Sequence, residues 1–170
     1  MCRSLEKLLE KIDSYNIFTN IIPGAVLVKL LSLLDLYIVQ VDGIVATIIL
    51  YYFFGVLAGR IGSLVVGGIL KACRVIRYTP REEYIKASQK DAEIKKLLEV
   101  NNMYRTFVGV FLVVSFIKLY HMIARFTKLP DVASEWIAIG ALLIIFTLSF
   151  VKQTASITTR VSVANRIDEE

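Results

Sequence analysis

The sequence predicts an all-α, polytopic membrane protein. It would have four transmembrane helices, an amphipathic N-terminal helix and a helical cytoplasmic middle loop. Composition gives the first sign. Hydrophobic residues make up 56% of the 170-residue chain and charged residues only 21%, against roughly 45–50% and about 25% in an ordinary soluble domain. The mean hydropathy is +0.63. The second sign is distribution: the apolar residues gather in runs near the ~20 residues that a spanning helix needs at 1.5 Å rise each. The third is the absence of a polar stripe from two of these runs, which a soluble bundle would require on every helix. A disordered chain, a small disulfide scaffold and a typical soluble enzyme are excluded on the same grounds.

Taken in order, residues 1–20 open with MCRSLEKLLEKIDSYN. Ser4 can cap a helix that puts Leu5, Leu8, Leu9 and Ile12 on one face. Such a helix suits either the membrane interface or packing against the middle loop. It is charged rather than a basic tip followed by an apolar run, so it reads as part of the mature protein and not as a signal peptide. The first span is expected over 21–41, with Pro23 starting or kinking it. The second is expected over 44–70, the third over 106–124 and the fourth over 136–151. Between the second and third, residues 71–105 read as a cytoplasmic loop. Pro80 breaks it, and a charged helix from Arg81 to Arg105 feeds the third span. Residues 152–170 form a polar tail that can prolong the fourth helix.

Loop charge sets the expected orientation. Arg3, Lys7 and Lys11 precede the first span, and nine lysines and arginines lie between Lys71 and Arg105. The turn between the first two spans has no basic residue, and Arg125 and Lys128 in the other turn are set against Asp131 and Glu135. Both termini and the middle loop are therefore expected in the cytoplasm, for a protein of the bacterial inner membrane. The net charge of +5 fits that asymmetry, and direct nucleic-acid binding is not expected. Cys2 and Cys73 then lie in a reducing compartment and read as free thiols. One histidine and two cysteines leave no basis for a metal site, and no cofactor is expected. No Ser–His–Asp set, paired intramembrane aspartates, HExxH or phosphate loop is present, so catalysis is not expected either.

The second span carries Gly55, Gly59, Ser63 and Gly67 at four-residue spacing. Small residues so spaced let helix backbones approach closely where lipid supplies no hydrophobic drive. This ladder is expected to make a helix–helix contact, within the chain or between copies in a homo-oligomer. Polar residues within spans cost upward of ~2.5–3.5 kcal/mol at a helix centre and mark function by default. Here they are Lys29 and Asp35 in the first span, Arg60 in the second, and Lys118 and His121 in the third. Counting rise per residue puts Asp35, Lys118 and His121 near the outer ends, where they can form a neutralised ion pair. Lys118, His121 and Arg125 share one helix face. The same count puts Lys29 level with Arg60. Arg60 can snorkel to headgroups, whereas Lys29 sits too deep to do so easily, and the alternative is a basic lining that favours anions or a lipid phosphate.

The stretches NIFTNIIPGA, YYFFGVLAGRIGS and DAEIKKLLEVNNMYRTF resemble small bacterial membrane proteins of phage-defence gene neighbourhoods. The overall plan is similar to the membrane subunit of the two-component Kiwa defence system. That resemblance implies an oligomeric membrane sensor or scaffold holding a cytosolic, DNA-binding effector. The expected partners are the bilayer, further copies of the chain and a cytosolic protein docked on the basic middle loop, through Arg81, Lys86, Lys90, Lys95 and Lys96. The alternative is a pore lined by Lys29 and Arg60.

Overall fold

The computed structural model describes residues 17–37, 41–76, 79–127 and 130–167. Of the amphipathic helix expected over 1–20, residues 1–16, Cys2 among them, lie outside the described residues. Five helices account for the rest, with no strand among the described residues. Helix α1 (Ile22–Leu33) follows a π turn at Ile17–Ile21. Helix α2 (Ile44–Ala72) contains a π turn at Gly62–Val66. Helix α3 covers Arg81–Lys90, α4 covers Glu93–Thr127 and α5 covers Asp131–Ile167.

Three of these helices, α2, α4 and α5, are long and apolar enough to cross a membrane. The expected span over 21–41 is shorter than the sequence suggested, because its apolar helix runs only from Thr19 to Leu33. At 1.5 Å per residue that is roughly 22 Å, less than the ~30 Å of a bilayer's hydrocarbon. The stop is local. Leu36 N–H bonds to Leu31 O (3.0 Å) and Asp35 N–H to Ser32 O (3.2 Å), with Asp35 in the left-handed region at φ 50°. This is a Schellman closure, with aspartate where glycine is usual. Hydropathy alone does not register it. Arg74 (φ 59°) ends α2 in the same way.

The charged helix expected over 81–105 is two helices. Asp91 leaves helical geometry at φ −133°, and its Oδ1 accepts from Glu93 N–H at 2.8 Å. Such local side-chain bonds compete with the helix and start the next one. Helix α4 then runs without interruption through the expected third span. The expected fourth span is the first half of α5, and most of the tail continues it as helix to Ile167.

The core is made by α1, α2 and α4. Leu27, Val28 and Leu31 meet Leu57, Ala58 and Ile61, and Val110, Val113 and Val114 complete it. Helix α2 is the centre, packing on α1 along one side and on α4 along another. Helix α5 is peripheral. It contributes only Leu142 and Ile145 to the margin of the core, and 6% of its most apolar window is buried, against 22% for α2 and α4.

Close backbone contacts fix the register. A Cβ on Gly24 would strike Tyr51 O, and one on Gly55 would strike Asn20 O. Helices α1 and α2 are therefore antiparallel, with Asn20 opposite Gly55. A Cβ on Gly109 would strike Ala58 O, and one on Gly62 would lie 2.5 Å from Arg105 O. Helix α4 thus runs antiparallel to α2 as well, with Arg105 level with Gly62.

Candidate functional site

The register sorts the polar residues to two ends. At the hairpin end, where α1 turns into α2, a groove of about 1020 Å³ is lined by Asp35, Lys118, His121 and Arg125 together with apolar neighbours. The sequence placed Asp35, Lys118 and His121 together, and the fold brings them to one groove. Among the described residues they form no ion pair at contact distance. Asp35 is held in its turn by backbone bonds, and the His121 ring packs on Tyr37, centroids 5.1 Å apart. His121 Nε2 and Tyr120 Oη are buried with no hydrogen-bond partner.

At the opposite end, cations from three helices converge. Lys152 Nζ donates to Ser63 O at 2.7 Å and to Ser63 Oγ at 2.8 Å. Arg105, Arg60 and, more weakly, Lys71 are near enough for their charges to act on Lys152. Arg105 Nε is buried and has no partner. Its neighbour Thr106 is buried and is satisfied within its own helix, donating to Asn102 O at 2.9 Å. Ser149 Oγ, one turn before Lys152 on α5, is buried without a partner.

Lys29 does not join this set. With Gly24 opposite Tyr51, Lys29 falls opposite about residue 46, so Arg60 lies roughly 20 Å further along α2. The expected shared level fails because α1 docks on the half of α2 nearest the hairpin. Arg60 is instead level with Arg105 and Lys152. The sequence assigns those two to the loop and the tail. Their one signal was position: Arg105 directly precedes the apolar run of α4, and Lys152 directly follows that of α5.

The small-residue ladder faces several neighbours in turn. Gly55 accepts the backbone of Asn20, Gly59 meets the Thr106 hydroxyl at a Cβ distance of 3.3 Å, and Ser63 accepts from Lys152. Gly67 is half-buried. Gly62, outside the ladder, is the α2 glycine that lies nearer to α4 than Gly59 does.

Lys86 and Lys90 on α3, and Lys95 and Lys96 on α4, are exposed. The side chain of Arg81 lies outside the described residues. Beside these lysines Leu97, Leu98, Val100 and Tyr104 are also exposed. Cys73 is an exposed free thiol. Among the described residues no group of histidine, cysteine or acidic side chains could hold a metal ion. No known protein family, curated protein or solved structure matches this chain.

Proposed function

We propose that the chain is a membrane-embedded sensor or scaffold. It associates with further copies of itself and presents its basic end to a cytosolic protein, in bacterial defence against phage. The observation that carries this reading is the surface of α3 and the first turns of α4. Exposed Lys95 and Lys96 stand beside exposed Leu97, Leu98 and Tyr104, and a polar rim around apolar anchors is how protein interfaces are built. The loop charge supports a cytosolic position for that surface. The uncovered length of α5 supports association between copies, because the core of one chain leaves its apolar side chains unused. The defence context rests on the resemblance of NIFTNIIPGA, YYFFGVLAGRIGS and DAEIKKLLEVNNMYRTF to membrane proteins of that kind, and catalysis has no place in the reading.

In operation, a disturbance of the envelope would shift helix packing about α2, and α4 would carry the shift in one continuous helix to the docking surface. The pore alternative is weaker, since Lys29 and Arg60 lie at opposite ends of the bundle. The test is capture of a tagged full-length chain from its native host in mild detergent. A specific soluble protein should co-purify, and Lys95→Glu with Lys96→Glu should reduce its recovery about tenfold or more, as expected when rim and core contacts of an interface are both disturbed. Recovery of this chain alone in several mild detergents would contradict the reading.

A further inference from the structure

We propose that the basic end of the bundle binds a phosphate group, gripped between α2, α4 and α5 by Arg60, Arg105 and Lys152. Three helices deliver these cations to one height. Like charges brought together repel one another, and among the described residues no carboxylate pairs with any of the three. The arrangement is complete only with an anion.

The donors that remain suit an oxyanion. An ammonium has three N–H groups, and Ser63 takes up two of them through its carbonyl and hydroxyl oxygens. The third is free, and the two bonds hold the ammonium in place. Arg105 Nε is enclosed and unpartnered, and a guanidinium offers a planar fork that matches phosphate oxygens. Gly62 makes room for this: its missing side chain lets the Arg105 backbone and Cγ (3.3 Å from the Cβ position) lie directly on α2.

The height of the cluster favours a lipid headgroup as the source of the phosphate. The run from Val132 to Val151 carries a single charge, Glu135 near its start. It is about as long as the hydrocarbon layer is thick, and Lys152 follows it directly. Basic residues at that boundary attract anionic lipids. Lys152 is exposed, so a headgroup can enter beside α5. The inference depends on the bundle lying in a bilayer and not on any protein partner.

The test uses the full-length chain in nanodiscs of phosphatidylcholine with increasing phosphatidylglycerol, and separately in detergent with inorganic phosphate. Native mass spectrometry reads bound lipid, thermal denaturation reads stabilisation, and phosphorus NMR reads the phosphate on the unaltered protein. We expect retained phosphatidylglycerol and a raised denaturation midpoint. Arg105→Gln and Lys152→Gln should each weaken apparent affinity by about tenfold or more, the range for hydrogen bonds to charged groups. Lys90→Gln, equal in charge but on exposed α3, should leave it unchanged. Saturation by inorganic phosphate, lost in the same two variants, would uphold the site and assign it to a soluble anion. The inference is overturned if the unaltered protein prefers neither phosphatidylglycerol over phosphatidylcholine nor phosphate over chloride. It is equally overturned if Lys90→Gln costs as much as the other two.

Discussion

At Gly24, Gly55 and Gly109 an added methyl group would meet backbone atoms of a neighbouring helix, whereas at Gly68 and Gly140 it would meet nothing within 4 Å. Backbone cannot rotate away as a flexible side chain can, so alanine at the first three sites must push helices apart. We expect Gly55→Ala and Gly109→Ala to destabilise the bundle by about 1–3 kcal/mol, the usual cost of overpacking. Gly140→Ala should be neutral or should stabilise by up to about 1 kcal/mol through helix propensity. Denaturant titration in mixed micelles checks this, and equal effects at Gly55 and Gly140 would contradict the packing. The four-residue spacing of Gly55, Gly59 and Ser63 was legible in the sequence. Which neighbour each would meet was not, because that depends on the registers of α1, α4 and α5 against α2. The same dependence hid the basic cluster: Arg105 and Lys152 are adjacent in space only after two helices have been set against a third.

Element existence was easier to read than element ends. The apolar runs of α2, α4 and α5 stand out because their length is a direct consequence of bilayer thickness. The end of α1 is set by a Schellman closure at Asp35, and the break between α3 and α4 by the Asp91 side chain. These are short-range hydrogen-bonding events inside stretches whose hydropathy does not change sharply. Burial then separates helices that look alike in sequence. Leu27 on α1 is 0% exposed and Leu143 on α5 is 65% exposed. Leu27→Ala should cost about 2–5 kcal/mol through the cavity it leaves. Leu143→Ala should change the stability of the single chain by no more than about 0.5 kcal/mol. If copies associate through α5, cross-linking yield between them should fall in Leu143→Ala while chain stability holds. A large loss of single-chain stability in Leu143→Ala would show that α5 belongs to the core.

For the whole molecule, the arrangement of charge is the feature that composition and fold share. The groove beside Asp35 occupies one end and the Arg60, Arg105 and Lys152 cluster the other, with the uncharged core of α1, α2 and α4 between. Helices α2, α4 and α5 all continue past the cluster, which projects α3 and the start of α4 beyond the level of the basic residues. The polarity of this arrangement across the bilayer is the premise of both the docking surface and the phosphate site. Cysteine accessibility in intact cells tests it most directly, in a Cys2→Ala background with a membrane-impermeant maleimide. Cys73 should react only after the membrane is permeabilised, and Asp42→Cys, in a Cys73→Ala chain, should react in untreated cells. Labelling of Cys73 from outside, or of both positions from one side, would contradict the account.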